Sequence, residues 1–283
     1  MHSPESTSIL LLGGGYTLNR LATRLDPQSF VITATSKEKV AEFAAQGFNT
    51  VLVNIERPES FARLLNEYPK IQTLVDSVPP KENTAAAVTA LGQIVQQSGI
   101  SKIIYLSTSG VFGVTDGSWV DEETPANPRQ EAAKRRLAVE LAYREMQKPF
   151  TALRIPAIYG PGRGIGLALK AGTYQLIDGG KDYSNRIQVE DLVSIIEKSL
   201  TTTKLPPVFA VSDDLPALSE EVVNYYCEKF KLKYPTSITR EEVERSGHHT
   251  RLSNQRIRNA LLRTTLHLEL RYPTYREGAG TEY

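Results

Sequence analysis

Short apolar runs alternate along the chain with longer segments in which apolar residues recur every three to four positions. This is the alternation expected of strands and amphipathic helices wound around a parallel sheet. Ser8 to Leu12 reads as a buried strand, and the helix after it carries Leu18, Leu21, Ala22 and Leu25 on one face. Further strands are predicted over Phe30 to Thr35, Thr50 to Val53, Thr73 to Val78, Lys102 to Ser107 and Phe150 to Arg154. Between them the periodicity predicts helices over Lys37 to Gln46, Ser60 to Leu65, Thr84 to Gln97 and Gln130 to Met146, the last preceded by a loop rich in Gly, Asp, Pro and Asn from Gly110 to Pro128. From about Gly164 onwards short elements follow without strict alternation. That change divides the chain into a core domain over 1–163 and, over 164–283, mainly a small lobe with segments returning to the core.

Composition narrows the partners. The 33 Lys and Arg residues nearly balance 32 Asp and Glu, so there is no overall field to attract a polyanion, and nucleic acid is not an expected partner. No uninterrupted apolar stretch approaches the roughly 18 residues of a membrane span, and the polar stretch from Met1 to Ser8 has no apolar core of export-signal length. The single cysteine, Cys227, cannot close an internal disulfide, and cytoplasm is the expected compartment.

Between the first strand and the first helix stand Gly13, Gly14 and Gly15. A dinucleotide pyrophosphate must approach the free N–H groups at a helix N-terminus, and a side chain in that turn would block it. Gly13 and Gly15 fit the G-x-G-x-x-G spacing, whereas Leu18 occupies the third position, where glycine permits close helix–strand packing. The turn predicts a nicotinamide dinucleotide held by Gly13, Gly14, Gly15, Tyr16, Thr17 and Leu18. At the end of the second strand, Thr35-Ser36-Lys37 offers no carboxylate to accept hydrogen bonds from the adenosine ribose or to repel a 2′-phosphate. Ser36 and Lys37 can donate to such a phosphate, so NADP is expected ahead of NAD; the alternative is that Lys37 merely begins a solvated helix. Asn54, Ser77, Val78 and Pro156 complete the expected cofactor set.

Further on, Tyr105-Leu106-Ser107-Thr108-Ser109-Gly110-Val111-Phe112-Gly113 resembles the S-S-x-x-V-Y-G strand end of extended short-chain dehydrogenases/reductases. Leu153 to Arg163 is similar to their R-x-x-x-x-Y-G-P-G turn. Asn185 to Leu192 and Phe209 to Asp214 resemble the H-V-x-D and N-V-x-D segments, and Arg251 to Arg256 with Tyr272 to Gly278 resemble the tail of an atypical bacterial branch. The chain thus resembles the NAD-dependent epimerase/dehydratase family. The resemblance implies a doubly wound parallel sheet of about seven strands (a Rossmann fold) with a small C-terminal substrate lobe, acting on a sugar-like or small hydroxyl/carbonyl substrate, as a monomer or homodimer. Ser109, Tyr159, Arg163 and Arg186 are the expected substrate contacts.

Catalysis in that family uses Tyr and Lys in Y-x-x-x-K, one helical turn apart, so that the ammonium lowers the phenol pKa while the Tyr exchanges a proton with the substrate. Thr108 has the spacing of the Ser or Thr that holds the substrate hydroxyl, with Ser107 beside it. Aligning Arg136-Leu137-x-x-Glu140 with the family's K-L-x-x-E, however, puts Arg136 in the Lys position and Ala132 in the Tyr position. The sequence's Y-x-x-x-K, Tyr225 with Lys229, lies far downstream and is expected to be a chance match. Two readings stay open. In one the chain is an enzyme whose acid or base comes from elsewhere, such as Glu131 beside Lys134, Arg135 and Arg136, or Tyr159 or Tyr183 from loops. In the other it is a catalytically silent NAD(P)-binding regulator. Adjacent His248 and His249 point in different directions on any regular element, and no metal site is expected.

Overall fold

The computed structural model describes residues 6–245 and 252–283; His248, His249 and Arg251 lie outside them. In chain order the first part runs β1 (Ile9–Leu12), α1 (Tyr16–Ala22), β2 (Phe30–Ala34), α2 (Lys37–Ala45), β3 (Thr50–Leu52), α3 (Pro58–Glu67), β4 (Thr73–Asp76), α4 (Thr84–Gln97), β5 (Lys102–Thr108), β6 (Trp119–Val120), α5 (Glu131–Glu145) and β7 (Phe150–Ile155). There follow β8 (Ala157–Tyr159), α6 (Ile165–Lys170), β9 (Leu176–Ile177), β10 (Tyr183–Ser184), β11 (Arg186–Gln188), α7 (Val189–Thr201), β12 (Val208–Ala210), β13 (Ala217–Leu218), α8 (Ser219–Phe230), β14 (Ser237–Ile238), α9 (Arg240–Arg245), β15 (Arg256–Ile257), α10 (Ala260–Leu266) and α11 (Tyr275–Gly278).

The chain forms two compact units that interleave in sequence. One comprises Met1–Ser107, Lys134–Leu153 and Ile196–Val208, the other Thr108–Ala133, Arg154–Ile195 and Phe209–Tyr283. The first unit carries most of a seven-stranded sheet of order β12-β7-β5-β4-β1-β2-β3. Strand β1 lies inside the sheet and pairs in parallel with β2 (Leu10↔Val31) and β4 (Leu10↔Leu74). The chain winds outward from β1 to β3, then crosses back to lay β4 on the other side of β1. That reversal makes a doubly wound sheet with its switch point between β1 and β4, the place where open α/β sheets carry their ligand crevice.

Local chemistry sets where the elements stop. The predicted strand from Thr73 ends at Asp76 because the Asp76 carboxylate accepts the Val78 N–H at 2.7 Å and turns the chain before Pro79. Helix α3 starts at Pro58, two residues earlier than its apolar pattern indicates, since proline at the first helical position lacks only an N–H that would have no partner. Leu10, Val31, Phe61, Leu64, Leu74, Val88, Leu91 and Ile103 share one core on the face covered by α3 and α4.

In the second unit short strands pair as β8 with β11, β9 with β14 and β6 with β15, all parallel, and β10 with β13, antiparallel. Its principal core gathers Leu169, Leu176, Val222, Val223, Tyr226 and Tyr275. None of these strands exceeds three residues, so no period-two pattern long enough to read exists in their sequence.

Candidate functional site

The β1–α1 turn is tied to its neighbours by hydrogen bonds. Gly13 has φ +91°, which favours glycine, and its N–H donates to the Thr33 hydroxyl at 3.0 Å. The Gly14 N–H donates to the Thr33 carbonyl at 2.9 Å, the Gly15 N–H to the Gly13 carbonyl at 2.9 Å, and the Ser77 hydroxyl to that same carbonyl at 2.6 Å. With these glycine amides used internally, the donors left for an anion are those of the first turn of α1. Thr17 and Leu18 have no intrahelical acceptor for their N–H groups, and Gly15, the N-cap, has no side chain to supply one.

The three glycines do different things. A Cβ on Gly15 would meet nothing within 4 Å, so this is the open face of the turn. A Cβ on Gly14 would run into the ring of Phe43 on α2. Close packing in the turn therefore falls at Gly14, while Leu18, in the third motif position, is fully buried. At the end of β2, Ser36 caps α2 by accepting the Lys39 N–H at 3.3 Å, and Lys37 opens that helix from an exposed position. Asn54 is exposed beyond β3 and accepts the Glu56 N–H at 3.0 Å.

Behind the turn lies a polar network that the sequence pattern did not reveal. Arg136 on α5 donates through Nη1 to the carbonyl of Leu106 at 2.8 Å, the phenol of Tyr105 at 3.2 Å and, more weakly, the carbonyl of Val78 at 3.4 Å. One turn on, the fully buried Glu140 accepts from the Ser107 hydroxyl at 2.5 Å. Tyr143 donates to Asp76 Oδ2 at 2.8 Å. Burial pushes the Asp76 carboxyl up to about 6, against the opposing pull of the Val78 N–H, the Tyr143 hydroxyl and the Arg136 charge. Burial also raises the phenols of Tyr105 and Tyr143, so neither is activated as a base. A signal was available for Asp76: a carboxylate in an otherwise apolar central strand calls for partners.

Ala132 is exposed, as is Glu131 at the start of α5, with Lys134 and Arg135, while Arg136 is half-buried. The helix thus splits the basic cluster into an exposed pair and one inward guanidinium.

In the second unit, Thr108 caps the short 3₁₀ turn Ser109–Phe112 and its hydroxyl accepts the Gly110 N–H at 3.3 Å. Ser109 is buried, and its carbonyl accepts from the Gln255 side chain at 3.1 Å. Pro156 is half-buried between β7 and β8. Arg163 is exposed on a tight loop in which Gly160 and Arg163 exchange N–H···O bonds of 2.8 Å. Tyr159 and Arg186 are buried, and the guanidinium of Arg186 bonds the hydroxyl and carbonyl of Ser184 and lies 5.1 Å from the Tyr275 ring. The Tyr159 hydroxyl, Arg186 Nη1 and Asp213 Oδ2 are buried without a hydrogen-bond partner among the described residues. Burial holds the Asp213 carboxyl at about 7 despite the nearby Arg186, and it raises the Tyr159 phenol too. Tyr225 and Lys229 do meet, at 3.3 Å, on an exposed part of α8 where both also bond the Arg276 carbonyl.

Among the described residues no group of three His, Cys, Asp or Glu side chains is placed to hold a metal ion, and no helix is long and apolar enough to cross a membrane. No curated protein matches the chain. Among solved structures, it is similar to a conserved protein of unknown function from Silicibacter pomeroyi, with 28% identity, a TM-score of 0.80 and 96% of each chain covered. It shares its fold with dTDP-glucose 4,6-dehydratase from Bacillus anthracis, solved with NAD (16% identity, TM-score 0.79, 96% of this chain and 94% of that one). The same holds for ADP-L-glycero-D-manno-heptose-6-epimerase from Helicobacter pylori (17% identity, TM-score 0.77, 98% and 95%). Residues 9–202, from the first residue of β1 to just past α7, match the family of NAD-dependent epimerases and dehydratases, and the chain belongs to that family.

Proposed function

We propose that this chain binds a nicotinamide dinucleotide at the β1–α1 turn, with NADP ahead of NAD, and acts as an oxidoreductase or epimerase/dehydratase-like enzyme on a sugar-like or small hydroxyl/carbonyl substrate. The observation that carries the reading is the turn itself. It sits at the switch point of the parallel sheet, its Gly15 face is open, and the first amides of α1 have no internal acceptor. These residues fit a pyrophosphate. Thr35, Ser36, Lys37 and Asn54 would serve its adenosine end, and Ser77, Val78 and Pro156 complete the cofactor set.

When bound, the dinucleotide supplies a hydride donor or acceptor. The chain's own part is to orient the substrate and move a proton. Thr108 keeps its hydroxyl proton available, because its internal hydrogen bond uses the oxygen as acceptor. Ser107 donates to Glu140, which holds the end of β5 in place. Glu131, exposed at the start of α5, is the proposed acid or base in place of the missing tyrosine. Ser109, Tyr159, Arg163 and Arg186 are the proposed substrate residues.

A specific observation also favours the second reading, a catalytically silent NAD(P)-binding regulator: Ala132 stands where a tyrosine would, and Arg136 is engaged by two main-chain carbonyls and a phenol. Fluorescence titration with NADPH and NADH, followed by a turnover screen over nucleotide sugars and small hydroxyl/carbonyl compounds, separates the two. Dinucleotide binding with turnover supports the enzyme, binding without turnover supports the regulator, and absence of binding removes both.

A further inference from the structure

Asp76 closes β4 with a fully buried carboxyl, in a strand otherwise made of Thr73, Leu74 and Val75. Its two oxygens serve different neighbours. Oδ1 accepts the Val78 N–H at 2.7 Å, and Oδ2 accepts the Tyr143 hydroxyl of α5 at 2.8 Å. The two residues that follow it, Ser77 and Val78, lie directly on the glycine turn. The Ser77 N–H donates to the Leu12 carbonyl at 2.9 Å, and its hydroxyl donates to the Gly13 carbonyl at 2.6 Å. A Cβ on Gly13 would stand 3.1 Å from Val78 Cγ2 and 3.3 Å from the Val78 nitrogen, the same nitrogen that Asp76 holds. The Arg136 guanidinium of α5 reaches the carbonyl of Val78 at 3.4 Å.

We propose that Asp76 is a positioning residue of the dinucleotide site, holding Ser77 and Val78 against the Gly13 turn and so tying affinity at that turn to the charge on its own carboxylate. The inference rests on the dinucleotide reading above. An ionised carboxylate holds the Val78 N–H through a charge-assisted bond, whereas a neutral carboxyl holds it more weakly. Protonation also makes one oxygen a donor, so the bond between Oδ2 and the Tyr143 hydroxyl must rearrange. Burial pushes this carboxyl up to about 6, which puts the change close to neutrality. The titratable and charged groups around it are Tyr143 and Arg136 of α5 and Tyr105, its ladder partner on β5, with Glu140 acting on Tyr105. Strand β1 sets the apolar Leu12 beside it. Burial raises both phenols, so they keep their protons while Asp76 titrates. Dinucleotide affinity therefore holds above about pH 7 and weakens as pH falls through about 6. Simple repulsion between the carboxylate and a pyrophosphate gives the opposite slope.

The test is calorimetric titration of wild type, Asp76→Asn and Tyr143→Phe with NAD and NADP from about pH 5 to about pH 8. Asparagine has nearly the shape of the carboxyl and no charge, and its oxygen can still accept the Val78 N–H. At about pH 8 wild type should bind either dinucleotide about fivefold to tenfold more tightly than Asp76→Asn, as exchanging a charge-assisted bond for a neutral one gives. That ratio should fall toward one at about pH 5. The 2′-phosphate of NADP titrates in the same range, and the ratio cancels it. Tyr143→Phe removes a donor that lowers the Asp76 value, so its affinity should begin to weaken at a higher pH than that of wild type. A ratio that stays constant or grows on acidification overturns the proposal while dinucleotide binding stands, and so does a Tyr143→Phe profile that coincides with wild type. Should Asp76→Asn fail to fold, wild type alone decides through NAD, which lacks the 2′-phosphate: affinity that is level or rises on acidification overturns the proposal. Failure of wild type to bind either dinucleotide at any pH overturns the dinucleotide reading beneath it.

Discussion

The guanidinium of Arg136 donates to the carbonyl of Leu106 at 2.8 Å, joining α5 to β5 one residue before Ser107. Replacing it with methionine keeps much of the stem but leaves a half-buried carbonyl without this donor, at a cost of about 1–3 kcal/mol. A lysine can restore one charged hydrogen bond but not the fan to Tyr105 and Val78. Urea unfolding should therefore rank wild type above Arg136→Lys and Arg136→Met last. Equal midpoints would place Arg136 outside the stability of this joint.

Gly14 and Gly15 should separate folding from binding. Gly15→Leu places a side chain in open space at an ordinary φ of −81°, so the protein should keep its melting temperature within a few degrees and lose dinucleotide binding. Gly14→Ala drives a methyl into the Phe43 ring and should cost stability first, about 1–3 kcal/mol for overpacking. Thermal melts with and without NADPH check both. A folded Gly15→Leu variant that binds with wild-type affinity would remove the cofactor from this turn.

The sheet was legible because its strands are mostly apolar and its helices carry the 3.6-residue period. Gly13 and Gly15 were legible as a bare turn between the first strand and the first helix, where a pyrophosphate would need one. What holds that turn was not, since Thr33 and Ser77 reach it from 20 and 64 residues away, and no local pattern records a hydrogen bond over such a separation. For the same reason Glu140 read as one end of an alignment motif rather than as the partner of Ser107. Arg136 could be placed in the lysine position, but three equally charged neighbours in sequence do not say which one turns inward; the helix phase relative to β5 decides that.

The buried carboxyls make stability fall as pH rises toward neutrality. Asp213 is raised from 3.8 to about 7 and Asp76 from 3.8 to about 6, in both cases mainly by burial. Between these limits the folded chain binds more protons than the unfolded chain, so unfolding free energy decreases with pH and levels off above about pH 7. Carboxyls with lowered values, such as Glu242 and Glu277, act with the opposite sign at lower pH. Asp213→Asn retains an oxygen for the Leu215 N–H and removes one titration, so its stability should vary less between about pH 5 and pH 7.5. The same slope in wild type and variant, by urea midpoints across that range, would contradict the burial argument.

Tyr143→Phe removes one hydroxyl and almost no volume, and leaves Asp76 Oδ2 without its donor at a fully buried site. The expected loss is about 1–3 kcal/mol near neutral pH, where Asp76 is ionised, and less at about pH 5, where it is largely protonated. Combining it with Asp76→Asn should give less than the sum of the single effects, because the two groups share one interaction. Strict additivity would argue against the pairing.

The last prediction concerns the missing acid. Ala132 is exposed at the start of α5, and Arg136 lies one turn later with its guanidinium already bound to Leu106. A tyrosine at 132 and a lysine at 136 would restore the i, i+4 pair in which an ammonium lowers a phenol pKa. General acid–base help of this kind is worth roughly 10²- to 10⁴-fold. Wild type should therefore turn over common nucleotide sugars slowly or not at all, and Ala132→Tyr with Arg136→Lys should raise any measurable rate, assayed below the melting temperature that the Arg136→Lys change lowers. Tyr225→Phe should leave the rate unchanged, since that hydroxyl and Lys229 are exposed on α8 and engaged with the Arg276 carbonyl. Steady-state turnover of the three proteins on one responsive substrate at saturating cofactor makes the comparison. Brisk wild-type activity abolished by Tyr225→Phe would move the catalytic tyrosine to α8, and brisk activity indifferent to Tyr225 but lost in Glu131→Gln would identify Glu131 as the proton carrier.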